Sequence, residues 1–541
     1  MRNVSTFGSF TTARLGIYAA QKGLEVTGNN MTNINTTGYT RQRLDQMSFV
    51  SGGPDYYAVP MGTKVGNGVI TTGVSQLRDP FLDIAYRNAN TNVGQADTKL
   101  AWLEQVAGVL DEVGKGSDDN GLLYKQMQDV IDAVNQMITE GAGHKEYDAL
   151  VRTAAQGLTD LFNTYAKGLE QKKENLETSL KQDVETVNGL LKNIQELNDS
   201  IRKADVRGDS ALELRDQRNL ALDELSNYMK IDVSYEMEDV GSGTMVEKLV
   251  VSISDTNIKL VDGKYVTQAS VDMKDNYNIK LEELKDRFGK DTPNKQNQQT
   301  LGETLQGSLQ ASRDMLNGKG EFSSEADRLR DPNATIKRGI PYYQKSLDLL
   351  ANKFADVMNK ANANGKKPNG DDGGILFSNS SDGDDDTDIT AKNISISKGW
   401  STGATQLQCS ADPKAPASAT DNLAHILAQL TSKDHKFLPK TVDNTAESTD
   451  PLFTGSFQDM FLNIQGVLGN DIKNTAVVLN SYATTLDEVY VDRDSISGVD
   501  LNEEATNMMQ YQKAYSAACR LMTTLDQALD KLINGTGVVG L

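Results

Sequence analysis

Residues 501–532, LNEEATNMMQYQKAYSAACRLMTTLDQALDKL, place Leu501, Glu504, Met508, Tyr511, Tyr515, Ala518, Met522, Leu525, Leu529 and Leu532 at alternating steps of three and four residues. That spacing lays one narrow stripe along a helix, and every member except Glu504 is apolar or aromatic. Such a stripe is a seam rather than a closed core, so it requires a partner. The other end of the chain carries a matching seam at Ala13, Ile17, Ala20, Leu24, Thr27, Met31 and Ile34. The two ends are therefore expected to pair in a coiled-coil-like module.

Outward from these ends, four internal segments repeat the heptad spacing. They run through Ala96, Leu100, Leu103, Ala107 and Leu110; through Leu176, Leu180, Asp183, Val187, Leu190, Ile194, Leu197 and Ile201; from Tyr343 through Phe354 to Ala361; and from Ile472 through Leu479 to Tyr490. Stripes of one period, far apart in sequence, are satisfied by long helices lying side by side. Between them the pattern turns to strand-like alternation at 248–254 and 257–261, with Asp262-Gly263 as a hairpin signal.

The expected fold class is α+β and predominantly helical: terminal coiled-coil-like helices, a long-helix rod domain and inserted β-rich domains. The expected borders are 1–43 and 497–541 for the paired ends and 44–85 for a β-containing connector. The rod takes 86–228, 301–364 and 455–496, with a β-rich insert at 229–300 and a second mixed excursion at 365–454. Strand-like runs are expected at Leu44–Val50 and Val65–Val74, separated by Gly52-Gly53-Pro54 and Gly66-Asn-Gly68. Lys290–Thr300 and the polar stretch Lys433–Asp450 read as loops, and both excursions should project sideways from the rod.

At 541 residues the chain can hold three or four units of roughly 100–200 residues each. Its 55 Lys and Arg against 75 Asp and Glu leave a net charge of -20, which argues against nucleic acid or an anionic membrane as a partner. No apolar run approaches the roughly 18 residues of a membrane span, so no membrane insertion is expected. The opening residues Met-Arg-Asn-Val-Ser-Thr-Phe-Gly lack the features of a cleaved secretory signal. Two cysteines, Cys409 and Cys519, cannot form a disulfide framework, and Cys519 beside the seam reads as a small buried apolar residue.

Residue types that carry chemistry are sparse or wrongly spaced. The run Asp382-Gly-Asp384-Asp385-Asp386-Thr-Asp388 has alternating carboxylates, yet a calcium loop opened at Asp382 needs glycine where Thr387 stands. It reads as an exposed acidic turn. His144, His425 and His435 form no zinc motif, and no phosphate loop, nucleophile elbow or dinucleotide fingerprint occurs. No metal, cofactor or catalytic residue is expected.

Asn30-Met-Thr-Asn33-Ile-Asn-Thr-Thr-Gly38-Tyr39 stands apart. Its asparagines can end a helix, Gly38 permits the positive φ of a tight turn, and Tyr39 can anchor that turn to a neighbour. With Gly16-Ile-Tyr-Ala-Ala-Gln21-Lys-Gly-Leu24 before it and Thr40-Arg41-Gln42 after it, this stretch resembles the N-terminal signature of bacterial flagellar rod and hook proteins. Thr32 replaces the alanine usual in that family. Gly66-Asn-Gly-Val69 and Arg78-Asp79-Pro-Phe-Leu82 look like the same family's connector. Ser497-Gly-Val-Asp-Leu-Asn-Glu-Glu504, followed by Tyr511-Gln512-Lys-Ala-Tyr515-Ser-Ala-Ala518, resembles the closing signature of the hook-associated proteins at the hook–filament junction.

The resemblance implies a structural, non-enzymatic adaptor ring that permits filament attachment. Its implied partners are further copies of itself, the hook protein, a second hook–filament junction protein and a cytoplasmic export chaperone on the C-terminal helix. It also implies export to the extracellular flagellum without a cleaved signal. The assembly residues expected on the N-terminal side are Ile17, Leu24, Asn30, Met31, Asn33, Ile34, Gly38 and Tyr39. On the C-terminal side they are Leu501, Met508, Tyr511, Tyr515, Ala518, Met522, Leu525, Leu529 and Leu532. Another axial flagellar protein, a secreted adhesin presenting Gly365–Asp388 and Lys433–Asp450, and an enzyme with a carboxylate pair in a cleft are the competing readings.

Overall fold

The computed structural model describes residues 8–49, 68–110, 121–241, 243–292, 297–303, 305–416, 418–439 and 450–535. Val50, the Gly52–Pro54 break, residues 65–67, Pro293 and most of the 433–450 loop lie outside the described residues. The chain begins with α1 (Gly8–Thr32), the antiparallel hairpin β1 (Gln42–Ser48) and β2 (Val69–Gln76), and α2 (Pro80–Leu110). Then come α3 (Leu122–Glu140), α4 (Lys145–Val206) and α5 (Leu212–Tyr228).

α4 is the spine, 62 residues and thus about 90 Å long. Acidic Glu146 and Asp148 in its first turn and Lys203 in its last oppose the helix dipole, but packing decides its stability. Leu176, Leu180, Val184, Val187, Leu191, Ile194 and Ile201 are buried along one continuous face.

The first insert holds two antiparallel sheets. Strands β3 (Ile231–Asp239), β4 (Met245–Ile253), β5 (Lys259–Asp262) and β6 (Tyr265–Val266) pair in chain order. Asp262 pairs with Tyr265 across the hairpin, where Gly263 takes φ 62°. Strands β7 (Ala269–Asp272), β8 (Asn278–Leu281) and β9 (Gln299–Leu301) form the second sheet, so the stretch expected as a loop to Thr300 ends in a strand.

Neither sheet projects from the rod as the sequence suggested. Both lie along α4, whose Asn188 brackets Ala269 with bonds of 2.8 and 2.7 Å while Gln195 donates to Lys264 O at 2.7 Å. These side-chain amides satisfy strand-edge groups, and Leu249, Val251, Leu260, Ile279 and Leu281 join the same core as Leu180 and Val187.

The chain returns through α6 (Gly307–Asn317), a 3₁₀ turn at Gly320–Phe322, α7 (Glu325–Arg330) and α8 (Ile340–Asn364). The second excursion comprises β10 (Phe377–Ser378), β11 (Ser395–Ile396), α9 (Lys398–Ser401), α10 (Asp421–Thr431), β12 (His435–Phe437) and β13 (Phe453–Gly455). It too shares the central core. Trp400 is fully buried with Nε1 directed to Asp148 at 3.3 Å, and Phe377 meets Phe354 edge-on at 5.5 Å. Asn359 on α8 accepts from the amides of Leu376 and Phe377, both at 2.9 Å, and donates to Phe377 O at 2.8 Å.

Two long helices close the chain. α11 (Phe457–Ser497) opens on a reciprocal cap between Ser456 and Asp459 and runs antiparallel to α2, with Gln465 reaching Leu110 O and Tyr490 beside Tyr86. Its first turns are core, at Met460, Phe461, Ile464 and Leu468. Beyond Thr475 its outer face is open, and Val477, Tyr490 and Val491 are more than half exposed. α12 (Leu501–Gly535) then lies against α1. No helix among the described residues is long and apolar enough to cross a membrane.

Candidate functional site: the terminal pair and its joint with the rod

α1 and α12 pair antiparallel. A methyl group added at Gly16 would lie 3.6 Å from Ala518 Cβ, and one added at Gly23 would fall within 2.5 Å of Tyr511 Cε1. The register of the N-terminal stripe differs from the expected one. Ala13, Ala20, Gly23, Thr27 and Asn30 are buried on this stripe, with Gly16 against Ala518, and Ala19 and Val26 are buried beside it. Ile17, Leu24 and Met31, expected at the centre, are half-buried on the flank.

The physical reason is size. Small residues on α1 let the backbones approach, and the large rings and chains of α12 fill the space, as Tyr511 does over Gly23. On α12, Met508, Tyr511, Tyr515, Ala518, Met522, Leu525 and Leu529 are half-buried, and Glu504 is the one buried residue of the helix. Leu501 and Leu532 are 50% and 55% exposed, and Ile34 is 38% exposed beyond the end of α1, so these three depart from the expected seam.

The Asn30–Tyr39 stretch folds back on its own helix. Asn33 donates through Nδ2 to Asn29 O at 3.0 Å and so closes the last turn. Gly38 takes φ 79°, which a side-chain-bearing residue rarely adopts, and is exposed. Asn30 is 1% exposed; its Nδ2 donates to Gln42 O at 2.9 Å. Its Oδ1 accepts from Gln42 N at 3.0 Å and Tyr39 Oη at 2.8 Å. One amide side chain thus acts as a strand partner for Gln42 and fixes where β1 leaves α1. Tyr39 anchors the turn to Asn30, and burial first and then Asp216 raise its pKa.

Arg41 joins the ends. Its backbone amide donates to Ser497 O at 2.8 Å, and its guanidinium reaches Glu504 at 2.8 Å and Glu503 at 2.9 Å. The Glu503 hydrogen bond is foremost in raising its pKa. Asp500 Oδ1 accepts from Asn502 N at 2.7 Å and so starts α12.

The same turn sits on the rod. Thr40 N donates to Asp216 Oδ2 at 3.1 Å, Gln42 donates to Glu213 at 3.1 Å and Gln76 donates to Leu212 O at 3.1 Å. A ladder of alternating charge extends from there across α5, α2 and α11. Arg78 lies 3.9 Å from Asp216 and donates to Asp83 at 2.5 and 2.9 Å. Arg493 lies 3.7 Å from Asp83 and 2.7 Å from Asp223, which also binds Arg87 at 2.8 Å. The Arg493 guanidinium lies 3.7 Å from the centre of the Tyr86 ring. A cleft of 330 Å³ opens between this ladder and the turn, lined by Ile34, Gly38, Tyr86, Leu220, Tyr490 and Arg493 among others.

Gly16, Gly23, Arg41 and Gln42 enter the sequence reading only within the family signature, without a place in the seam, and Asp216 does not enter it. The one available signal is the acidic Glu504 inside an apolar stripe, which announces a buried basic partner.

Two other groups of carboxylates are tied into bonds of their own. Around a 50 Å³ cavity, Lys337 binds Glu303, Asp314 and Asp331 at 2.7, 3.0 and 2.8 Å, which makes a salt-bridge hub. Asp384 and Asp385 in the acidic run accept from Gly399 N and Thr387 N at 2.9 Å each. No group of three or more metal-ligating side chains occurs among the described residues, where Cys409 and Cys519 are both free.

Comparison with known proteins gives these features a context. Residues 109–377 match the flagellar hook-associated protein FlgK helical domain, and residues 493–535 match the flagellar basal body rod FlgEFG protein C-terminal family. The flagellar hook-associated protein 1 of Bacillus subtilis is 30% identical over 99% of both chains. That of Salmonella typhimurium is 22% identical over 96% of this chain and 98% of its own. The structure of the flagellar hook junction protein FlgK from Burkholderia pseudomallei aligns with a TM-score of 0.53 at 13% identity, covering 76% of this chain and all of that one, a likeness of fold. With its length matched end to end and its helical domain and C-terminal segment each recognised, the chain belongs to the flagellar hook-associated protein 1 family.

Proposed function

We propose that this chain is a structural adaptor subunit of the bacterial flagellum, assembling as a ring at the hook–filament junction and permitting filament attachment. The observation that carries the reading is the incomplete burial of the terminal pair. α12 spans 35 residues, yet Glu504 alone is buried, while Ile17, Leu24 and Met31 flank the seam half-covered. A large apolar side chain gains roughly 1.5–3 kcal/mol when fully buried, so this module gains most when neighbouring copies complete it. Contacts that repeat from copy to copy are heterologous, with the hook protein on one side and a second junction protein on the other.

In this reading residues 1–43 and 497–541 are the assembly module, and the rod with its two inserts lies outside it. The exposed apolar side of α12 is what an export chaperone covers before the chain leaves the cell, without a cleaved signal, for the extracellular flagellum. No catalytic step belongs to this role.

A strain lacking the chain, complemented by the wild type or by Leu525→Asp with Leu529→Asp, tests the reading. The wild type restores filaments. The double variant yields hooks without filaments and flagellin shed into the medium. Normal filaments and swimming in the double variant would overturn it.

A further inference from the structure

The joint between turn and rod contains one carboxylate whose burial its partners offset only in part. Asp216 on α5 is 6% exposed. Its Oδ2 accepts from Thr40 N, but its Oδ1 is buried and accepts no hydrogen bond within the protein. The nearest cation, Arg78 at 3.9 Å, is committed to Asp83 by two shorter bonds.

Burial of Asp216 favours a neutral acid, while Thr40, Arg78 and Gln76, the groups that act on it directly, favour the ionised form. Glu213, one turn away on α5, is held by Gln42; Tyr39 lies on the turn, Gln76 comes from β2, Asp83 from α2, and Glu504 from α12 is held by Arg41. None of the three histidines, His144, His425 and His435, lines this joint, so Asp216 is its natural titrating group.

We propose that Asp216 is a proton-operated latch between the rod and the terminal module: on taking up a proton it seats the turn at residues 36–42 more firmly on α5 than its ionised form does. The neutral acid keeps Oδ2 as acceptor for Thr40 N and carries its proton on the buried, unpaired Oδ1. The ionised form keeps the same bond but holds its charge out of water, with Oδ1 unpaired. Burial pushes this carboxyl up to about 6, with the Thr40 bonds, Arg78 and Gln76 opposing it. A carboxyl raised in the folded state contributes stability that is complete below its ordinary value of 3.8 and is lost as pH rises through about 6. The joint is therefore tighter in mild acid than at neutrality. The latch does not depend on the assembly reading, because every group in it belongs to one chain.

Hydrogen exchange of the Thr40 and Gln42 amides in the full chain, corrected for intrinsic rates, reads the latch directly. Between about pH 5 and about pH 7.5 their protection is expected to fall by about tenfold or more, since a carboxyl that holds its proton tenfold more tightly in the seated joint changes the seating equilibrium by the same factor. Asp216→Asn, which keeps the acceptor and removes the charge, should flatten that dependence. Asp183→Asn, at another carboxyl raised by burial but on α4, should leave it unchanged. Equal protection at both pH values in the wild type, or an undiminished fall in Asp216→Asn, would overturn the proposal. Should Asp216→Asn misfold, carboxyl-carbon titration of the wild type decides: a midpoint near the ordinary 3.8 refutes the latch, and one near 6 supports it.

Discussion

Arg41 Nε lies 2.8 Å from Glu504 Oε1, a bond between residues 463 positions apart that ties the two ends of the chain at the point where both leave the rod. Glu504 is 2% exposed, so its charge is tolerable only with this partner. The Arg41 backbone amide holds Ser497 O as well, which places the last turn of α11 and the first of α12 on the same residue. The terminal pair is thus clamped at its base, and its far end depends on the seam.

Removing the guanidinium strands a buried carboxylate. Arg41→Ala is expected to destabilise the base of the α1–α12 pair by about 2 kcal/mol or more, because a charge-assisted hydrogen bond is lost and Glu504 stays desolvated. Glu504→Gln added to Arg41→Ala should recover part of that loss. Hydrogen exchange across residues 20–32 measures both; additive effects would show that the two side chains do not act as a pair.

The small residues of α1 make a sharper test, because two glycines in one helix have opposite surroundings. Gly28 has nothing within 4 Å of an added methyl group, so Gly28→Ala should stabilise the chain by up to about 1 kcal/mol through helix propensity alone. Gly23→Ala gains the same propensity but drives the methyl into the Tyr511 ring, so its net effect should be destabilising by about 1–3 kcal/mol. Denaturant melts followed at α1 distinguish them, and Tyr511→Ala should relieve the Gly23→Ala penalty.

These residues also show which parts of the fold are readable in the sequence. The heptad stripes of α4 and α8 are legible because each sits in the central core on a strict period, as at Leu176, Leu180 and Val187, or Leu347, Leu350 and Phe354. The α1 stripe reads one residue off at Ile17, Leu24 and Met31, because hydrophobicity marks large side chains while close helix approach selects small ones. The inserts read as separate projections because their strands carry their own apolar runs. What draws them onto α4 and α8 is a set of buried amides, Asn188, Gln195 and Asn359, whose polarity hides their place in the core. The joint's charge ladder is illegible for a related reason: Arg78, Asp223 and Arg493 become neighbours only after three helices converge.

That ladder can be tested at Arg493, which binds Asp223 at 2.7 Å while lying against the Tyr86 ring. Arg493→Lys keeps the charge but loses the planar contact and the second carboxylate. A loss of about 1 kcal/mol is expected, visible as a lower melting midpoint. Tyr86→Leu should cost little more in the Arg493→Lys background than Arg493→Lys costs alone. Independent, summed losses would separate the ring from the ladder.

Asn30 offers the most specific test of the turn, since its side chain discriminates donor from acceptor. Its Oδ1 takes bonds from Gln42 N and Tyr39 Oη, and its Nδ2 gives one to Gln42 O. Asn30→Asp preserves the acceptor side, removes the donor and places a charge at a 1% exposed site against the Gln42 carbonyl. Asn30→Ala removes every bond but adds no charge. Both should loosen β1 from α1, by about 2–3 kcal/mol for the alanine. The aspartate should be the worse of the two at neutral pH and recover in acid, because protonation restores a donor facing Gln42 O. Exchange protection at Gln42 N, followed in both variants against pH, reads this difference, and a pH-independent Asn30→Asp would show that the Nδ2 bond contributes nothing to the turn.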